Sequence, residues 1–176
     1  MTDDTFALLA PGPSLTQAAA DSVRGLKVIA VSDAYRLAPW ADALVANDAV
    51  WWKVRPDAHA FAGRKFSANE LPGIEKVPND RNGVNKGTPS GALSLYVAKR
   101  LGAKRILLLG FDHKGDHFFG PHVAPLKNTP PQRWALFGSY FAAMADMMKS
   151  EGIEVFNCTE GSALKCFPMR DIQGFL

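Results

Sequence analysis

The chain has 176 residues, the usual size of one domain, so we expect a single domain spanning residues 1–176. With 47% hydrophobic and 21% charged residues, its composition is that of a globular protein and excludes the disordered and fibrous classes. The formal net charge is only +3, and the Lys and Arg residues are scattered. Charge alone therefore does not indicate nucleic-acid binding, whereas a small anionic ligand is compatible with it.

The N-terminus and the cysteines favour a cytoplasmic location. Residues Met1 to Asp4 are acidic where a secretory signal would be basic, and no apolar run approaches the roughly 20 residues that a bilayer requires. The two cysteines, Cys158 and Cys166, are too few for a disulfide framework. We therefore expect a cytoplasmic protein with reduced thiols and no membrane span.

In the N-terminal part, three apolar runs each end in small polar or turn residues. The first, over residues 5–10, stops at Pro11-Gly12-Pro13-Ser14 and is followed by a modest helical pattern over 16–24. The next two, over 27–31 and 43–46, stop at Ser32-Asp33 and Asn47-Asp48. These patterns predict a strand, a turn and a helix, and then two more strands. Between 59 and 85 the signal is weak, with Phe61 and Lys76-Val77 as candidate short strands.

The C-terminal part continues the alternation of helices and strands. The spacing predicts a helix from Ser90 that Gly102 stops, an apolar strand over 106–109, and a long helix from Pro131 to Gly152. A strand over 154–157 and a short closing helix over 162–167 complete the chain. This order predicts a three-layer, Rossmann-like α/β fold with a doubly wound, mostly parallel sheet.

Two glycine-containing turns are candidate anion sites, because ligands of such sheets bind at the carboxyl ends of the strands. At Gly12-Pro13-Ser14, backbone N–H groups and the Ser14 hydroxyl could face a phosphate, or the turn could simply cap the following helix. Thr88, Ser90 and Gly91 lie at the start of the helix predicted from Ser90, and they too could either face a phosphate or cap the helix. The turn Gly12-Pro13-Ser14 is neither a dinucleotide fingerprint nor a P-loop, so neither a dinucleotide-dependent dehydrogenase nor a P-loop kinase is supported.

The loop after the apolar strand over 106–109 contains three of the four histidines, between Asp112 and His122. Histidine suits proton transfer near neutral pH, so Asp112, His117 and His122 are candidate catalytic residues. Metal binding by the same side chains with Asp116, or surface histidines without a role, are the alternatives, and we predict no metal site. Trp51-Trp52 could stack on a base or be buried. Asn157 and Ser162 could reach the cleft or form a cap and a turn.

The motifs occur in an order that resembles a known group of proteins. The order comprises Gly12-Pro13-Ser14-Leu15, Ser90-Gly91 before a helix, Gly110-Phe111-Asp112 at a strand end, the loop from His117 to His122, and Asn157-Cys158 followed by Ser162 and Leu164. Over most of the chain this order is similar to bacterial sialyltransferases of the small α-2,3/α-2,8 class. It also resembles motility accessory factors and MptE-like 6-hydroxymethylpterin pyrophosphokinases. In chain length and in local amino-acid sequence, the chain looks most like small phage-encoded Rossmann-like proteins.

The sialyltransferase resemblance implies a transferase with a nucleotide or nucleotide-sugar of the CMP type as donor. It implies that the donor is held by the two turns and by Asp33, and that His122 is the general base. Asp48, Asn157 and Ser162 are further expected contacts of the nucleotide. Pro11 stands where that family has Asn, so the resemblance does not identify the sugar that is transferred.

Two alternatives remain. One is an ATP- and Mg²⁺-dependent pyrophosphokinase using Asp48 and Asp112, and the other is a non-catalytic nucleotide- or nucleic-acid-binding phage protein. A homo-oligomer is also compatible with the apolar residues Phe175-Leu176 and with the aromatic stripe of the long helix.

Overall fold

A computed structural model describes residues 4–80 and 84–176, and in these residues the chain forms one parallel sheet of seven strands. The strands are β1 (Thr5–Leu9), β2 (Lys27–Val31), β3 (Ala43–Val45), β4 (Arg64–Ser67), β5 (Glu75–Lys76), β6 (Arg105–Leu109) and β7 (Glu154–Asn157). Their order across the sheet is β5-β4-β3-β2-β1-β6-β7, and every neighbouring pair is parallel. The expected mostly parallel α/β fold is therefore confirmed, with no antiparallel pair between these strands.

The described part of the chain also contains four α-helices and three short 3₁₀ turns, all of which lie between strands except the last 3₁₀ turn, which follows β7. The helices are α1 (Gln17–Ser22), α2 (Ala49–Val54), α3 (Ser90–Arg100) and α4 (Arg133–Ser150), and the 3₁₀ turns cover Ser32–Arg36, Pro56–Ala60 and Ile172–Phe175. Among residues 4–80 and 84–176, none of the helices has the length and apolarity needed to cross a membrane.

Helices cover both faces of the sheet, which is why the central strands are apolar at consecutive positions. In β1, Phe6 and Leu8 pack into a core with α3 and α4, whereas Ala7 and Leu9 face the opposite core with α1 and α2. Successive side chains of a strand point to opposite faces, so a strand covered on both sides needs apolar residues throughout. This arrangement gives the three layers of a doubly wound fold.

The chain leaves β1 in one direction across the sheet and β6 in the other, so the topological switch point lies between these two strands. At this point Gly110 has a φ of 73°, and a Cβ there would lie 2.1 Å from the carbonyl oxygen of Ala10. Only glycine fits both the left-handed backbone and the close approach of the two strand ends. Ligands of open α/β sheets bind at such a switch point.

Two parts of the sequence-based prediction need correction. Residues 162–167 do not form a helix, and the last helical turn instead covers Ile172–Phe175. In the weak region the strand β5, at Glu75–Lys76, overlaps the candidate at Lys76-Val77, but Phe61 is not in a strand, and neither β4 at Arg64–Ser67 nor α2 was predicted. At the C-terminus, Phe175 packs on Phe156 with ring centroids 5.2 Å apart, and Leu176 is half-exposed.

Candidate functional site

A cleft of about 1130 Å³ opens at the carboxyl edge of the sheet, beside the switch point. Its walls come from the ends of β1, β2, β3 and β6, the start of α3, the loop after β6 and the first turns of α4. The cleft is large enough for a ligand the size of a nucleotide-sugar, and a concave site of this kind is the usual location of a small-molecule ligand.

The cleft contains eight of the thirteen site residues that the sequence predicted, namely Gly12, Asp48, Thr88, Ser90, Gly91, Asp112, His117 and His122. The other five, Pro13, Ser14, Asp33, Asn157 and Ser162, do not line it. The predicted residues and the cleft therefore coincide at the carboxyl edge of the sheet, but five of the predicted side chains do not face the cleft.

The turn Gly12-Pro13-Ser14 uses its backbone donors within the protein. The N–H of Gly12 donates to the carbonyl of Gly110 at 3.1 Å, and the N–H of Leu15 donates to that of Gly12 at 3.1 Å. The N–H and hydroxyl of Ser14 donate to the Asp112 carboxylate at 3.3 and 2.8 Å. Since the two prolines have no N–H, no backbone donor of the turn remains for a phosphate in this conformation.

Asp112 therefore has a structural partner in addition to its place at the cleft. Its carboxylate is buried against the turn, and a Cβ on Gly12 would lie 2.1 Å from its Oδ2. The carboxylate accepts the two hydrogen bonds that Ser14 could otherwise donate to an anion. Position 12 requires glycine because Asp112 and Gly110 approach it closely. The sequence had suggested a different reason, namely that the turn faces a phosphate.

The N-terminus of α3 keeps its donors. The N–H groups of Ser90 and Gly91 have no acceptor among the described residues, and both residues line the cleft. Three turns of helix stand behind them, so this end of α3 carries the positive end of a helix dipole. Thr88, by contrast, is buried, and its hydroxyl accepts a hydrogen bond from the N–H of Asn85 at 2.9 Å.

Asn47, at the end of β3, positions the start of α3. Its side-chain amide donates to the carbonyls of Thr88 at 2.7 Å and Asn85 at 3.1 Å, and its Oδ1 accepts from the N–H of Ala68 at 2.8 Å. Its backbone N–H donates to the hydroxyl of Ser90 at 2.9 Å. Sequence reasoning selected the neighbour Asp48, which caps α2 by accepting from the N–H of Val50 at 2.8 Å. A polar residue directly after a buried strand was the signal for both.

Asp33 lies outside the cleft and has an internal role. It is fully buried, and its two oxygens accept hydrogen bonds from Nε1 of Trp51 at 2.7 Å and from Nε of Arg55 at 2.8 Å. Trp51 and Trp52 are buried as well, and each indole N–H is used inside the protein. In this arrangement Asp33 is engaged inside the protein rather than open to a ligand, and Trp51, which lines the cleft, and Trp52 are almost fully buried.

Asn157 and Ser162 build the turn after β7 and do not reach the cleft. Asn157 is fully buried and its amide donates to the hydroxyl of Ser162 at 3.0 Å and to the carbonyl of Leu164 at 3.1 Å. The hydroxyl of Ser162 donates to the carbonyl of Phe111 at 2.6 Å. These bonds connect β7 to the loop after β6, which corresponds to the cap-and-turn interpretation of the sequence.

Two of the loop histidines, His117 and His122, pack against each other at one side of the cleft. Their ring centroids are 4.2 Å apart, and His117 stacks on Phe119 at 4.9 Å. Their Nδ1 atoms are enclosed and have no hydrogen-bond partner in the described part of the chain. Burial lowers the pKa of both imidazoles, and the charge that His117 would carry lowers the pKa of His122 further. Both rings are therefore neutral at pH 7.

The cleft also contains cationic side chains that the sequence did not single out. Lys86, Lys114, Lys127 and Arg133 line it, against the carboxylates of Asp48, Asp112 and Asp116. The Asp112 carboxylate is bonded to Ser14 and the Lys114 ammonium donates to the carbonyl of Gly161 at 2.6 Å, so three cations and two carboxylates remain to face a ligand. In the residues that the structure describes, no group of three or more His, Cys, Asp and Glu side chains could hold a metal ion.

Comparisons with known protein families, with characterised proteins and with solved structures found no match to this chain.

Proposed function

We propose that the protein binds a nucleotide or nucleotide-sugar in the cleft and transfers the activated group to an acceptor hydroxyl. The observation that carries the proposal is the cleft itself. At the switch point of the sheet it combines a cationic wall, the open N-terminus of α3 and a neutral histidine. We infer that the class of protein is a transferase that resembles the glycosyltransferases.

The donor phosphate belongs at the N-terminus of α3 rather than at Gly12-Pro13-Ser14. At α3 the N–H groups of Ser90 and Gly91 are available, whereas those of the glycine turn are bonded to Gly110 and Asp112. Lys86, four residues before Ser90, lines the same part of the cleft and adds a positive charge. Backbone donors, a helix dipole and a lysine together suit a phosphate group.

His122 is the proposed general base. Its Nδ1 is enclosed, so Nε2 is the nitrogen that remains to take a proton from the acceptor. Burial keeps the ring in the neutral form, which is the form that can accept a proton. As the proton moves to Nε2, the acceptor oxygen bonds to the transferred group, and the bond to the phosphate oxygen breaks. The leaving nucleoside phosphate keeps the electron pair and is stabilised at α3.

A thermal-shift measurement tests the binding step. At a ligand concentration of about ten times Kd, binding stabilises the folded state by about 1.4 kcal/mol, which raises Tm by about 3–6 °C for a chain of this size. CMP, UMP, UDP, AMP and ATP are compared with and without Mg²⁺. Stabilisation that requires Mg²⁺ would instead support pyrophosphoryl transfer from ATP. No stabilisation by any of these nucleotides at millimolar concentration contradicts the proposal.

Two substitutions of lysine give a matched comparison for the phosphate site. Lys86→Gln removes a cation from the cleft, and Lys104→Gln removes an exposed cation at the opposite edge of the sheet. We expect Lys86→Gln to weaken nucleotide binding about fivefold, which corresponds to about 1 kcal/mol, and Lys104→Gln to leave it unchanged. In His122→Gln, binding persists and turnover is lost if the residue is the base. Retained turnover would indicate a binding protein without this catalytic step.

A further inference from the structure

His113 has a defined tautomer, because its Nε2 lies 3.0 Å from the backbone carbonyl oxygen of Trp134. A carbonyl oxygen only accepts hydrogen bonds, so Nε2 must carry the proton and Nδ1 must carry the lone pair. No described residue donates to Nδ1, and His113 lines the cleft. Burial lowers the pKa of His113, so the ring stays neutral at pH 7 and Nδ1 is an acceptor only.

The backbone of His113 holds this side chain in an unusual position. Its φ is 54°, in the left-handed region that few residues other than glycine occupy. The hydrogen bond to Trp134 and ring contacts with Trp134 and Phe141, at 5.1 and 5.7 Å between centroids, stabilise this conformation. Strained residues of this kind concentrate at functional sites.

The neighbours of His113 at the start of α4 are aromatic, because Trp134 contacts its ring. Trp134 and Phe137, in the first turns of α4, contact each other at 6.3 Å between centroids, and both line the cleft without being buried. They offer a planar ligand the dispersion and stacking contacts that aromatic rings make with one another. Arg133 lies at the same end of the helix and also lines the cleft. This end of the cleft therefore combines aromatic surface with one free acceptor.

We propose that this end of the cleft is a nucleobase subsite. Trp134 and Phe137 pack against the base, and Nδ1 of His113 accepts a hydrogen bond from an exocyclic amino group. This inference rests on the proposed binding of a nucleotide. It favours cytosine over uracil and adenine over hypoxanthine, because the exocyclic nitrogens of cytosine and adenine are donors. Uracil and hypoxanthine present a carbonyl oxygen at the same position, so two acceptors would face each other.

Binding titrations of two matched nucleotide pairs test the inference. We expect CMP to bind about fivefold to tenfold more tightly than UMP, and AMP to bind more tightly than IMP by a similar factor, as the loss of one hydrogen bond implies. In His113→Phe the ring contacts remain but the acceptor is lost, so the members of each pair should bind within about twofold of each other. His113→Gly, which accepts the positive φ without strain, should show the same loss of preference.

His59 provides the matched control, because its Nε2 also contacts a tryptophan carbonyl, that of Trp52, at 3.1 Å. It does not line the cleft, so His59→Phe should keep the preference for amino bases. Trp134→Leu should weaken all four nucleotides and leave the binding of ribose 5-phosphate unchanged.

The outcomes separate this inference from the proposed function. Binding of the four nucleotides without discrimination, or discrimination that survives in both His113 variants, overturns the nucleobase subsite alone. Ribose 5-phosphate that binds as tightly as the nucleotides also overturns the subsite while leaving the phosphate site intact. If none of the nucleotides binds, both proposals fail.

Discussion

The substitution Gly12→Ala tests whether the turn Gly12-Pro13-Ser14 is a packed junction, that is, whether it is held tightly against Gly110 and Asp112. A Cβ at this position would lie 2.1 Å from Oδ2 of Asp112 and 2.3 Å from the carbonyl oxygen of Gly110. The carbonyl belongs to the backbone at the switch point, so it cannot rotate away as a side chain can. The turn must therefore move away from β6, and its hydrogen bonds to Asp112 and Gly110 must lengthen.

Three hydrogen bonds set the size of the effect. They join the N–H of Gly12 to Gly110, and the N–H and hydroxyl of Ser14 to Asp112. At about 1 kcal/mol each, their loss lowers the free energy of unfolding by about 3 kcal/mol. For a chain of this length that corresponds to a decrease in Tm of about 6–12 °C, which differential scanning calorimetry measures directly.

Two other glycines separate steric contact from backbone conformation. Gly174 has no atom within 4 Å of an added Cβ, so Gly174→Ala should leave Tm nearly unchanged. Gly102 also has open space but a φ of 92°, so Gly102→Ala should cost about 1 kcal/mol from backbone strain alone. A Tm of Gly12→Ala within about 2 °C of that of the unchanged protein would refute the packed junction, because a loss of about 3 kcal/mol should lower Tm by about 6–12 °C.

The remaining predictions concern buried charge and pH. Asp33→Ala removes the acceptor of Trp51 and leaves the guanidinium of Arg55 without its partner, so urea unfolding should show a loss of about 3–4 kcal/mol. A loss below about 1 kcal/mol would contradict this role. Desolvation lowers the pKa of the half-buried His117 and His122 below the ordinary value of 6.5, so at acidic pH the unfolded chain binds more protons than the folded chain. Stability should fall from pH 7.5 to about pH 5.5, and replacing both by Phe should reduce that slope.

The sheet could be predicted because its central strands carry unmistakable patterns. β1 and β6 are apolar at successive positions, since both of their faces are covered, and α3 and α4 repeat apolar residues at helical spacing. The short α2 has only six residues, too few for a periodic pattern to emerge. A local pattern cannot reveal that residues 162–167 are held open, because Ser162 donates to Phe111, a residue 51 positions earlier.

The candidate site was predictable as a location but not as a set of free donors. Small polar residues after strands indicated the edge of the sheet, and the helix start at Ser90 indicated an anion site there. Whether a donor is free depends on contacts far apart in sequence, such as that between Ser14 and Asp112, which are 98 positions apart. Asp33 followed a strand just as Asn47 did, yet its partners on α2 and in the next loop bury it. Burial and pairing, which are tertiary properties, decided these outcomes.

The short segment from Gly110 to His113 links the packed junction to the cleft. Its two positive φ angles, at Gly110 and His113, let adjacent side chains diverge, so that Asp112 bonds to the turn after β1 and His113 bonds to α4. A change at Asp112 that loosens the turn would therefore also shift His113 in the cleft. Loss of binding or activity in an Asp112 variant does not by itself make that carboxylate catalytic, because displacement of its neighbour would have the same effect. The preference between CMP and UMP distinguishes the two, since it reports the position of His113 and not the chemistry of a carboxylate.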